Sequence, residues 1–291
     1  MSDLKEVSPI DYHKLLKVNR GDLFSPDSYL SKSVIWPLKE ESLYQWRFNP
    51  KTFNGSKFAD WGSLVDCLVT TPDLLDSIAS FHTHADLRKK AAQEERNEAK
   101  EQGLIYAHVE TLEKAKLAAA NLLLHDVAAP IIKRSKKQAI LLGESNGLKL
   151  KALLDFAPDD SECLYDLKTT SQWSPRELSK TIDKFGYHVQ AGLYIFLWNQ
   201  NYPDNPKKRF RLIWQQNEYP YEVTVTELPS GDIEAGTNWA AHQIERLAKA
   251  AKNDEWPGIF EGKTPVLGRP GYSIFNDEEE LEPITPAPQK P

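Results

Sequence analysis

Apolar and polar positions alternate with a period of two over residues 138–142, 148–156 and 163–169, a pattern that predicts strands. The run G-E-S-N-G at 143–147 supplies a turn between the first two. The polar stretch A-P-D-D-S-E at 157–162 joins the second and third as a hairpin. Two further strands are expected at 209–215 and 221–226. Helical spacing dominates elsewhere. D-W-G-S-L-V-D-C-L at 60–68 reads as a helix running on to about Thr70, and T-P-D at 71–73 places a proline in the first turn of the next. Residues 25–33 offer helix-entry chemistry ahead of 34–46. Residues 85–128 read as helical with a break at Gly103: a charged first half, expected as an exposed arm, then Leu112, Ala115, Ala119 and Leu122 near helical spacing. Helices follow at 175–184, 187–198 (very apolar) and 230–252. An α-rich entry, an antiparallel meander, then helix and strand describe an α/β core with a mixed central sheet flanked by helices. The tail 276–291 is acidic and proline-rich, and reads as disordered.

Composition narrows the function classes. The 291 residues, 40% hydrophobic and 27% charged, suit a globular chain of one elaborated domain or two. No window approaches ~18 uninterrupted apolar residues, and M-S-D-L-K-E-V lacks the order of a signal peptide, so a cytoplasmic location is expected. A net charge of −6 argues against indiscriminate coating of nucleic acid. It leaves room for a local basic groove, with clusters at Lys133, Arg134, Lys136 and Lys137 and at Lys207, Lys208, Arg209 and Arg211. Cys67 and Cys163 are most simply buried thiols, and two cysteines cannot supply a four-cysteine iron–sulfur cluster.

The chemistry concentrates in 148–170. Residues i and i+2 of a strand share a face, so Asp166 and Lys168 point together and Leu167 points away. If the preceding strand brings Asp155 to the same edge, two carboxylates and an ammonium converge around a Mg²⁺ ion, with the Leu167 carbonyl as a further oxygen. Lys168 would position the attacking water, or deprotonate it if desolvation lowers its pKa. Alone, a D-x-K pair is an ordinary feature of a solvated strand. Asp66, set among Leu64, Val65, Cys67 and Leu68, is the candidate third carboxylate; the alternative is the water-facing side of its helix. Gln190 and Tyr194 lie at i and i+4 on the apolar helix. The glutamine needs a partner there, either a phosphate oxygen or catalytic water, or backbone groups. The H-x-H at His82 and His84 lacks a metal-binding companion pattern and reads as surface histidine. Gly262-Lys263-Thr264 lacks the upstream glycine and strand of a phosphate loop.

The ordered set G-x-x-x-D at 62–66, L-L-D at 153–155, D-L-K at 166–168 and Q-A-G-L-Y at 190–194 resembles the PD-(D/E)XK nuclease superfamily. More narrowly, G-Y-H-V-Q-A-G-L-Y at 186–194 and Y-L-S-K-S at 29–33 are similar to phage-type RecE-like exonucleases, the exodeoxyribonuclease VIII family related to phage lambda exonuclease. The likeness spans roughly residues 25–260. It implies a single exonuclease domain over 1–275, with a helical part at 25–130 and a nuclease core at 131–260. It also implies Mg²⁺-dependent digestion of one strand of duplex DNA from its end, 5′→3′, with Mn²⁺ as a substitute metal. A single-strand annealing recombination protein and a homo-oligomeric ring are the implied partners, with Lys133 to Lys137 lining the ring. By matched position, Asp66, Asp155 and Asp166 are metal ligands, Lys168 and Gln190 catalytic, and Ser33, Gln190 and Tyr194 substrate-binding. Many relatives carry histidine where this chain has Asp66, which bears on metal preference, and Asp166 stands where glutamate is common. The rival readings are a catalytically inactive DNA-end-binding or assembly protein and a CRISPR-associated or helicase-linked nuclease; the cysteine count disfavours the last two.

Overall fold

The computed structural model describes residues 12, 16–49 and 57–268; the acidic tail lies outside them. The elements run β1 (Tyr29–Leu30), α1 (Lys32–Ile35), a 3₁₀ turn (Trp36–Lys39), α2 (Leu43–Phe48), α3 (Lys57–Thr70), a 3₁₀ turn (Pro72–Leu74), α4 (Leu75–Ile78) and β2 (Ala79–His82). Then come α5 (Lys90–Glu101), β3 (Ile105–His108), α6 (Val109–Leu124), α7 (Ala128–Arg134), β4 (Ser135–Ser145), β5 (Leu148–Pro158) and β6 (Cys163–Thr170). The chain continues through α8 (Pro175–Phe185), α9 (Tyr187–Asn201), β7 (Arg209–Gln216), β8 (Val223–Glu227) and α10 (Ser230–Asn253). Among the described residues no single helix is long and apolar enough to cross a membrane.

The central sheet is mixed, in the order β1-β5-β6-β7-β8, with β4 along the other flank of β5. β4 pairs antiparallel with β5 from Ser135↔Pro158 to Ser145↔Leu148. The opposite flank of β5 is shared. β1 takes its beginning, parallel, at Tyr29↔Lys149 and Leu30↔Leu150, and β6 takes its end, antiparallel, at Phe156↔Tyr165. Between those two contacts the sheet forks. β6 turns away to pair in parallel with β7 through eight residues, Cys163↔Arg209 to Thr170↔Gln216.

Each face of the sheet buries its own core. One packs Leu154, Leu164, Leu212 and Trp214 against Val189, Leu193 and Leu197 of α9 and Ile244 and Leu247 of α10. The other packs Phe156, Tyr165, Leu167 and Ile213 against Leu64 and Val65 of α3, Ala118 and Leu122 of α6 and Ile131 of α7. The alternation along β6, Leu164 to one core and Tyr165 and Leu167 to the other, sends Asp166 toward α9.

Three expectations need correction. The helix expected over 34–46 is broken: the chain first adds β1 to the sheet, Pro37 then sets a 3₁₀ turn, and a capping box at Ser42 and Gln45 starts α2 afresh. The helical reading of 85–128, broken only at Gly103, misses β3 just after that break, which pairs in parallel with β2 from Ala79↔Ile105 to His82↔His108. His82 is buried rather than on the surface, stacked on Tyr106 with ring centroids 4.4 Å apart. Cys67 and Cys163 are buried free thiols, as expected.

Candidate active site

Where β5 and β6 part, their side chains do what the backbone ladder no longer does. Asp155 Oδ2 accepts the backbone N–H of Leu167 at 2.8 Å, bridging the fork. Asp166 is 2% exposed; its Oδ1 accepts from Gln190 Nε2 at 2.6 Å, and its Oδ2 faces the Lys168 ammonium at 2.5 Å. That second oxygen has no other partner among the described residues. Asp66 comes to the same place from α3, and Gln138 Nε2 donates to both of its oxygens, at 3.2 and 2.9 Å. Gln138 stands opposite Asp155 on β4 with φ +49, a conformation costly for a side-chain-bearing residue and found where a site requires it.

A cleft of about 670 Å³ opens at the fork, and every residue named from the sequence lines it: Ser33, Asp66, Asp155, Asp166, Leu167, Lys168, Gln190 and Tyr194. Asp66 therefore faces the site rather than bulk water. Gln190 donates to Asp166, a carboxylate partner that the sequence reading did not name. Lys32, Gln138, Lys151 and Tyr187 also line the cleft, and sequence reasoning did not single them out. Two of them lay inside motifs quoted for the resemblance, Lys32 in Y-L-S-K-S and Tyr187 one place after the glycine of the 186–194 motif.

Burial and mutual repulsion govern the electrostatics. Desolvation, then the charge of Asp166, push Asp66 up to about 7, partly offset by Lys168 and Gln138. Asp155 lies well above the usual carboxylate range, first from burial and then from Asp166 and Asp66. Burial alone would lower Lys168, but Asp166, Tyr187 and Asp155 outweigh it and hold the ammonium protonated. Lys32 is pulled down to about 7 by burial and the nearby Lys168.

As the side chains stand, no three acidic, imidazole or thiolate groups among the described residues converge tightly enough to hold an ion. The donor set nonetheless fits a hard divalent cation. It is all oxygen, it repels itself in a buried place, and it includes an Asp166 oxygen that among the described residues is partnered by an ammonium alone.

The basic clusters are largely committed elsewhere. Lys207 is fully buried, donating to the carbonyls of Pro158 at 2.7 Å and Ser161 at 2.5 Å, so it presents no charge to a ligand. Arg209 and Arg211 pair with Glu227, and Lys208 with Glu162 at 3.1 Å. Lys137 donates to the Val69 carbonyl and Lys136 to the Tyr202 hydroxyl, each at 2.9 Å, while Arg134 pairs with Asp160 at 3.2 Å.

A mixed sheet forked around Asp155 and Asp166-x-Lys168, flanked by helices, defines the PD-(D/E)XK-like class. Residues 54–263 match the family described as PDDEXK-like domain of unknown function (DUF3799), and the chain belongs to that family. No curated protein matches it. Its fold is similar to that of a provisionally named exonuclease from Eubacterium rectale, with a TM-score of 0.55 at 14% identity over 96% of this chain and 99% of that one. A phage related exonuclease from Haemophilus somnus overlaps 85% of this chain and 95% of its own, with 11% identity and a TM-score of 0.37.

Proposed function

We propose that the protein is a Mg²⁺-dependent exodeoxyribonuclease of the RecE-like kind, degrading one strand of duplex DNA from its end, 5′→3′, to leave a 3′ overhang. The observation that carries this reading is the fork itself, which gathers Asp66, Asp155, Asp166 and Lys168 in one cleft. Asp155 and Asp166, with Asp66 and the Leu167 carbonyl beside them, would hold the ion. When bound, a divalent cation neutralises phosphate charge and makes water a stronger nucleophile. Lys168 keeps its proton and orients that water by donating to it. Gln190 fixes Asp166 Oδ1 so that Oδ2 stays turned toward the cleft. Ser31 and Ser33, their hydroxyl oxygens 3.0 Å apart, offer donors to a terminal phosphate, with the Lys32 ammonium between them in sequence. Tyr194 closes the buried end of the cleft next to Gln190.

Duplexes labelled on one strand at a time, incubated with Mg²⁺, with Mn²⁺ or with chelator, test the reading. Metal-dependent release of mononucleotides from 5′ ends is expected, and Lys168→Ala should lower the rate by about 10²- to 10⁴-fold. Full activity of Lys168→Ala would rule the mechanism out. Loss of cleavage with retained end binding would favour a DNA-end-binding or assembly protein instead. The overhang would be the substrate of a single-strand annealing partner. A homo-oligomeric ring around the duplex would let an acidic chain keep a DNA track, and a monomer by light scattering would remove the ring.

A further inference from the structure

Phe185 is the last residue of α8 and lines the catalytic cleft, yet 47% of it is exposed. Its ring stacks on Tyr187, centroids 5.8 Å apart and planes 21° from parallel. The Tyr187 ring in turn lies 4.7 Å from the Lys168 ammonium and packs against Trp214 at 5.9 Å. Between the two aromatics, Gly186 has φ +62, and a Cβ there would come within 2.7 Å of the Trp36 ring. The turn is thus fixed from behind. Lys32 Nζ donates to the Phe185 carbonyl, tying the Ser31–Ser33 segment to the same turn.

An aromatic ring rigidly mounted in a cleft of aspartates and lysines is poorly suited to an apolar ligand. It suits a ligand with a flat π-face and charged neighbours on either side. We propose that Phe185, backed by Tyr187, is a stacking shelf for a nucleobase of the strand entering the cleft, an inference that rests on the nuclease reading above. The exposed Lys184 ammonium lies over the Phe185 ring, 5.4 Å from its centroid; the base takes that place on the ring, and the displaced ammonium turns to its phosphate. Stacking of this kind is indifferent to base identity, because every base has a π-face. That is what an enzyme digesting arbitrary sequence requires.

The test compares duplex ends carrying a normal or an abasic terminal nucleotide, cut by wild type and by Phe185 variants. The wild type should show a KM raised about 5- to 150-fold for the abasic end. Phe185→Ala and Phe185→Leu should show that penalty on the normal end, with the loss in KM rather than kcat, and should not distinguish the two ends. Phe185→Trp should restore the discrimination. Leucine keeps an apolar group at the position, so a merely structural role predicts that Phe185→Leu behaves as wild type, and that result overturns the shelf. Equal KM for both ends with the wild type also overturns it while leaving the nuclease intact. A wild type that cuts neither end removes the nuclease reading and the shelf together.

Discussion

Asp155 accepts one protein hydrogen bond, Asp166 accepts one at Oδ1 and meets the Lys168 ammonium at Oδ2, and the charges of Asp166 and Asp66 oppose the ionisation of Asp155. Such an arrangement is unfavourable for folding and useful for binding a cation. Asp155→Asn keeps an oxygen for the Leu167 N–H and removes one negative charge. It should therefore stabilise the metal-free protein by about 1–2 kcal/mol in urea titrations with chelator, while abolishing cleavage. Mg²⁺ should raise the melting temperature of the wild type and leave that variant unmoved. Asp166 and Lys168 were legible in sequence because strand periodicity puts them on one face, whereas Asp155, on the neighbouring strand, was singled out with the help of the family resemblance. The places of Lys32, Gln138 and Tyr187 in the cleft were not legible, although Lys32 and Tyr187 lay inside quoted motifs. These three reach the cleft from distant segments, and Gln138 does so only because its backbone adopts φ +49 opposite Asp155.

Helices α9 and α10 cross closely enough that a Cβ on Gly236 would lie 2.2 Å from the His188 carbonyl oxygen, a backbone atom that cannot swing aside. Gly236→Ala should force the helices apart, at a cost of about 1–3 kcal/mol in the unfolding free energy. His188 is two residues from Gln190, so the same displacement should pull the amide away from Asp166 and depress activity, a coupling that kinetics on the soluble fraction would detect. Strands β4 to β7 and helices α8 to α10 could be read from periodicity because each is long enough to repeat its pattern several times. β2 and β3 could not. Each has four residues, and I-Y-A-H next to an alanine-rich helix carries no alternation that distinguishes strand from helix. The burial of His82 follows from the pairing of those two strands, so it was hidden for the same reason.

At the scale of the molecule, the acidic balance is partly organised into ion pairs along the far edge of the sheet. Side-chain hydrogen bonds from Arg209 and Arg211 hold Glu227 down to about 2. Because the folded value lies below the ordinary 4.5, the contribution is full above about pH 4.5 and disappears as pH falls through about 2. Glu227→Gln should lower the melting temperature slightly at pH 7, the group being one-third exposed and screened, and the difference from wild type should close as pH approaches 2. Thermal scans between pH 7 and pH 2 would show this. The opposite edge carries another consequence. β1, the two-residue strand that delivers Ser31, Lys32 and Ser33, finds its partner only at Lys149 and Leu150, far along the chain. During synthesis on a ribosome, that wall of the cleft must wait for residues 149 and 150 of the 291 to emerge. The Ser31–Ser33 wall and the Asp155–Lys168 wall of the cleft therefore take shape together, when β5 and β6 are both in place.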